Sequence, residues 1–176
     1  MNSSKSTTSS ASITPKALTI SGITANDKAY DGTSSAALSL TGLTLHGLLS
    51  APDGTPDVVT VTATGEFSDH RVARAGNDPF GTVQRKAASL VETFGGADAR
   101  NYSITAQGTT TATITPIALS ITGVDAHDKV YDRDDVAVID VSNAVLTTLI
   151  GSDLVTVSAT GVFDSEDVQF SSLQVT

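Results

Sequence analysis

Short runs in which apolar and polar residues alternate recur along this chain, and each is closed by Gly, Pro, Asn or Asp. Such alternation places successive side chains on opposite faces of a strand and predicts half-buried β-structure. The clearest runs are "ALTISGI" (17–23), "AALSLTGLTL" (36–45), "DVVTVTATG" (57–65), "YSITAQ" (102–107) and "TTATIT" (110–115). They continue with "IALSITGV" (117–124), "VAVIDV" (136–141) and "LVTVSATGVF" (154–163). Helical periodicity is weak. The best helix candidate, "QRKAASLVETF" (84–94), fits a strand about as well. The expected class is mostly β, as tandem β-sandwich or β-grasp-like modules of about 100 residues.

The modules follow from an internal repeat. "ITPKALTISGITANDKAYDG" (13–32) aligns without a gap on "ITPIALSITGVDAHDKVYDR" (114–133), with 12 identities in 20 positions at an offset of 101. Further on, "VTVTATGEF" (59–67) matches "VTVSATGVF" (155–163) at an offset of 96, so the intervening loop is five residues shorter in the second copy. Length changes belong in surface loops, which places "SAPDGTPD" (50–57) between two strands. The expected organisation is a flexible Ser/Thr-rich linker at 1–12, a first repeat at 13–114 and a partial second repeat at 115–176. No equivalent of "GADARNYSITAQGTTTATI" (96–114) occurs in the second copy as far as Thr176.

Composition narrows the function classes. Ser and Thr number 47 against 29 charged residues, which suits sheets with one face in water. Cysteine is absent, which excludes disulfides, thiolate zinc sites and a cysteine nucleophile. The net charge of −9 argues against a nucleic-acid binder. No apolar run approaches the roughly 20 residues needed to cross a bilayer, so no membrane insertion is expected. The opening "MNSSKSTTSSAS" lacks the apolar region of a signal peptide, and a targeting signal is expected outside this sequence. Charge is uneven: residues 13–113 carry 9 acids and 7 bases, whereas 114–176 carry 10 acids and 2 bases.

The segment repeated most faithfully is "NDKAYDG" (26–32), which returns as "HDKVYDR" (127–133). Tyr30 and Tyr131 can each plug a small β-core, and Asp31 and Asp132 can accept backbone N–H bonds in an Asx-turn. Gly32 tolerates a left-handed backbone. Arg133 at the same position predicts a turn of different geometry, because a left-handed Arg costs about 1 kcal/mol or more. No second His or carboxylate stands at catalytic or metal-ligand spacing from Lys28, Lys129 or their neighbours, so structural anchoring is the expected role.

"DKAYDGT", then "VTVTATGEF", then "GADARNYSIT", then "TTTATITPIALSI" closely resemble the YDG domain. This repeat module is related to MBG domains and occurs in large bacterial exoproteins and filamentous-haemagglutinin-like adhesins. The resemblance covers residues 13–176. It implies tandem, mostly β modules without enzymatic activity or cofactor, secreted to the bacterial surface and working as a stalk that presents a distal binding region. It marks Lys28, Tyr30, Asp31, Gly32, Asn101, Tyr102, Lys129, Tyr131 and Asp132 as motif residues. The run "RVARAGNDPFGTVQRKAASLVETF" (71–94) is longer and more basic than the family's usual segment there.

That run supports an alternative function, a carbohydrate- or matrix-binding module using Arg71, Arg74, Arg85, Lys86 and Arg100 with an exposed Tyr102. A second alternative is self-association through open strand edges. Neighbouring repeats of the same polypeptide are the expected partners, with a polysaccharide or host surface as a further one. Three chemical possibilities are weaker. "DRDD" (132–135) and "DSED" (164–167) offer oxygens for a weak calcium site but lack EF-hand spacing. Asp78-Pro79 invites self-cleavage, though a turn explains it better. Lys28 or Lys129 would need a buried carboxylate to form an internal crosslink with an Asn such as Asn101. Pro116, at the junction of the repeats, fixes φ in a connection short enough to restrict bending.

Overall fold

A computed structural model describes residues 11–76 and 78–168, and the chain divides into two compact units between Pro116 and Ile117. The first ten residues of the expected linker lie outside the described residues. The fold is mostly β, and all of the helix candidate at 84–94 except Gln84 lies in the longest strand.

Unit 1 contains β1 (Lys16–Ser21), β2 (Thr24–Ala25), β3 (Lys28–Ala29), β4 (Ser35–Ala36), β5 (Leu38–Ser39), β6 (Thr44–His46) and β7 (Thr60–Phe67). It continues with β8 (Arg85–Gly95), a 3-10 turn at Ala99–Asn101, β9 (Tyr102–Thr105) and β10 (Thr109–Thr115). One sheet has the order β6-β1-β9, with β9 parallel to β1; a larger one has the order β3-β10-β8-β7-β4, with β3 parallel to β10. β2 and β5 form a separate pair.

Alternation decides which residues enter the core. β7 turns Thr60, Thr62, Thr64 and Glu66 to solvent and buries Phe67. Phe67 stands opposite Ala88 of β8, and both join Ala36, Ala112 and Ile114 in one cluster flanked by Ala25, Tyr30 and Val72. Small residues facing Phe67 leave room for its ring. Leu18, Ile20 and Ile23 supply the remaining large buried aliphatics. Each fully buried side chain of this size contributes about 1.5–3 kcal/mol.

Unit 2 contains β11 (Ser120–Thr122), β12 (Asp125–Ala126), β13 (Val136–Ala137), β14 (Ile139–Asp140), β15 (Val145–Thr147) and β16 (Gly161–Val162). Its pairs β11-β15, β12-β14 and β13-β16 repeat β1-β6, β2-β5 and β4-β7. Register is kept as well: Thr19↔His46 becomes Ser120↔Thr147, and Ser35↔Glu66 becomes Val136↔Val162. The strand expected over 154–163 is reduced to Gly161–Val162. Its counterpart β7 is paired along its whole length by β8, and no strand of that kind lies beside 154–160 among the described residues.

Candidate functional site

The motif at 26–32 is a staple. Lys28 begins β3, so its side chain leaves the sheet where the chain turns back toward β4. Its Nζ lies 2.7 Å from an Asp31 carboxylate oxygen and donates to Thr33 O (3.1 Å), Thr33 Oγ1 (2.9 Å) and Ser35 O (3.2 Å). Asp31 also accepts the backbone N–H and hydroxyl of Thr33, closing an Asx-turn. The Lys28 ammonium and the two Thr33 donors together pull the Asp31 carboxyl down to about 2. Asp27 accepts the N–H of Thr113 (2.6 Å), and Tyr30 N–H donates to Thr115 O (2.8 Å). The Tyr30 ring rests against the core, 6.0 Å from that of His70. One short segment thus ties β10, the core and the following loop together.

The second copy makes the same staple. Lys129 Nζ lies 2.8 Å from Asp132 and donates to Asp134 O (2.7 Å) and Val136 O (3.2 Å), and the Asp132 carboxyl is lowered, chiefly by Lys129. Gly32 has φ +76° and Arg133 φ +68°, so the different turn expected from Arg133 does not occur. The staple on either side holds Arg133 in the left-handed region against its preference. Thr148 (φ +64°) likewise occupies a glycine position, that of Gly47 (φ +100°). A Cβ on Gly47 would stand 2.7 Å from Ala17 O; Thr148 instead donates its hydroxyl to Ala118 O, the equivalent carbonyl. Tyr131 is half exposed, unlike Tyr30.

A second clamp holds the base of the 50–57 loop. Tyr102, opening β9, donates its hydroxyl to Asp57 (2.6 Å) and accepts the N–H of Leu49 (2.9 Å). Asp98 accepts the N–H of Val58 (2.8 Å), and its own N–H donates to Val58 O (3.2 Å). Desolvation and then the Asp57 carboxylate raise the Tyr102 hydroxyl above its ordinary value. Tyr102 is only 7 % exposed, which corrects its expected place on a binding surface: the ring is needed inside, where it reaches both ends of the loop. Asn101 is exposed in the 3-10 turn, and Lys28 is committed to its own loop.

Residues 14–112 and 115–176 match the family described as the YDG domain. The chain belongs to that family. No curated protein and no solved structure matches it. The four motifs shared by YDG modules therefore have distinct positions here: the staple, the β7 strand, the Asp98–Tyr102 clamp, and β10 running into the next repeat.

The basic residues of the first YDG repeat do not converge. Lys86 is a supporting cation, its side chain 10 % exposed, held by the Asp69 carboxylate and donating to the carbonyls of Asp69 and Arg71. Arg85 bonds to Thr111, and Arg74 donates to Gly81 O (2.8 Å). Arg85 opens the 11-residue strand β8, and Arg100 lies in the 3-10 turn after its other end. Arg71 and Arg100 are both exposed, and among the described residues neither side chain has a hydrogen-bond or ion-pair partner. An isolated bridge joins Arg74 and Val83, and Phe80 between them is 89 % exposed. There Asp78 accepts the N–H of Phe80 (2.8 Å), an Asx-turn at the Asp-Pro bond. Among the described residues no three His, Asp or Glu side chains come together as a metal site, and no helix is long and apolar enough to cross a membrane. Sequence reasoning identified the turn role of Asp31 and overlooked the clamp partners Asp57 and Asp98, which nothing but their places flanking a loop distinguishes.

Proposed function

We propose that this chain is a non-catalytic spacer of a secreted bacterial surface adhesin: two YDG modules in series within a stalk that presents a distal binding region. The observation that carries this reading is the use of the motif side chains. In both repeats Lys, Asp and the residues after them bond to the chain's own loop, and the Asp98–Tyr102 clamp does the same in the first. Side chains bonded in this way resist separation of strands, which is what a spacer under tension requires. The partners are the neighbouring repeats of the same polypeptide, and no cofactor is needed.

Pulling the full chain by its ends in a force spectrometer tests this. The expected trace has a resisting step in which unit 1 lengthens by roughly 300 Å, from about 100 residues at 3.3–3.6 Å each. Extension without a resisting step sinks the spacer reading. Saturable binding to a glycan array, lost in Arg71→Ala and Phe80→Ala, would favour the carbohydrate-binding alternative. Mass that rises with concentration in sedimentation would favour self-association.

A further inference from the structure

Ile13 and Ile114 occupy the same position of the repeat, 101 residues apart, yet Ile114 is 0 % exposed and Ile13 is 101 % exposed. The likeness extends outward from them. "ASITP" (11–15) and "ATITP" (112–116) differ at one position, and over 8–15 and 109–116 the changes are Ser for Thr at three places. Residues 109–116 are the closing strand of unit 1. There Ala112 and Ile114 enter the core beside Phe67, Ala88 and Ala36, Thr113 N–H meets the Asp27 carboxylate, and Thr115 O accepts from Tyr30 N–H. Every one of these partners lies in the module that precedes Pro116. Residues 11–15 carry the same inward-facing Ala and Ile and the same terminal Thr-Pro, and all five are exposed.

We propose that Ala11–Thr14 is the end of a module-closing β-strand, and that its partner is a YDG module lying upstream in the same polypeptide. The strand docks in parallel beside that module's Lys-x-Tyr segment, as Ile114↔Lys28 and Thr115↔Ala29 pair in unit 1. Ala11 and Ile13 fill the upstream core. Ser12 N–H donates to the first carboxylate of the upstream Asp-Lys-x-Tyr-Asp motif, and Thr14 O accepts from the N–H of its Tyr, as Thr113 and Thr115 do in unit 1. Residues 11–14 are then strand and not linker, and one continuous segment broken only by Pro15 closes one module and opens the next. This deepens the spacer reading, on which it rests for the existence of an upstream module. Its test does not depend on mechanical strength.

The experiment lengthens the chain by placing a second copy of residues 16–108 directly ahead of Thr8. The added copy is marked by Val91→Ala at an exposed position, so that its peptides differ in mass. Hydrogen exchange is expected to show β8 of the added copy protected, and Ile13→Asp to abolish that protection while leaving the unextended chain unchanged. A control carries 109–116 in place of 8–15. Protection with the control alone, or indifference to Ile13→Asp, overturns the proposal; so does a dimer in sedimentation, which would assign the strand to a second copy. If neither lengthened chain folds, the triple variant Thr110→Ser, Thr111→Ser, Thr113→Ser of the ordinary chain decides. It writes the sequence of 8–15 into the closing position of unit 1, and β8 there is expected to keep its protection to within about tenfold. Loss of β8 protection overturns the proposal.

Discussion

At the residue scale the two copies form a natural substitution experiment. Unit 1 places Gly32 and Gly47 where the backbone is left-handed; unit 2 places Arg133 and Thr148 there and keeps positive φ at both. A side chain in that region costs roughly 1–2 kcal/mol. Arg133→Gly is expected to stabilise unit 2 by about 1 kcal/mol, read as slower amide exchange over residues 134–137. Thr148→Gly is expected to gain less, because it also gives up the hydroxyl bond to Ala118 O. Acid tests the staple itself. The Asp31 carboxyl is held near 2, below its unfolded value of about 3.9, so its stabilising contribution is complete above the unfolded value and is lost as pH falls through about 2. A carboxyl NMR titration of Asp31 is expected to show that low midpoint, and Lys28→Met to return it toward the ordinary range. An unchanged midpoint in Lys28→Met would remove the ammonium as the main cause. The Asx-turn was legible in Asp31-Gly32. The Lys contribution was not, because a lysine three residues before an aspartate says nothing of the two carbonyls its ammonium also reaches.

Elements show why some strands were readable and others were not. β7 alternates between Thr and apolar residues over 60–64 and β10 does so over 111–115, and both formed. β8 was ambiguous because Ala, Leu, Glu and Lys favour helices while its alternation favours a strand. Pairing on both edges, with β7 on one side and β10 on the other, decided in favour of the strand. The stretch 154–163 alternates as well as β7 does and forms only two strand residues. A strand exists through its partners, and local pattern cannot say who they are. The clamp at the base of the 50–57 loop is another non-local feature, since Tyr102 reaches residues 45 and 53 positions away. Tyr102→Phe removes both bonds and keeps the ring. It is expected to leave the fold intact while exchange at the Leu49 amide and proteolytic cutting within 50–57 both accelerate. Unaltered cutting would mean that Asp98 alone holds the loop.

Over the whole molecule, the repeat and its mostly β character were legible, because 12 identities in 20 positions and persistent alternation are properties of the chain by itself. The distribution of the core was not, since equal sequence does not give equal burial. Unit 1 buries Leu18, Ile20, Ile23, Phe67 and Ile114, whereas Leu119, Ile121 and Val124, which stand where the first three do, are substantially exposed. Among the described residues of unit 2 the buried apolar side chain is Ala137. Backbone bonds in short pairs of two or three residues, with little apolar cover, open easily. Amides in β7 and β8 are therefore expected to exchange at least about a hundredfold more slowly than those in β11–β16, measured on the full chain at one pH. The Lys–Asp pairing shared by both units is predicted not to erase that difference, because it fixes a loop and buries no large apolar surface. Equal protection in the two units would mean that the staple, more than the core, sets the stability of a YDG repeat. Phe67→Ala separates the causes: loss of its buried ring is expected to cost unit 1 about 3–5 kcal/mol and to bring its exchange toward that of unit 2.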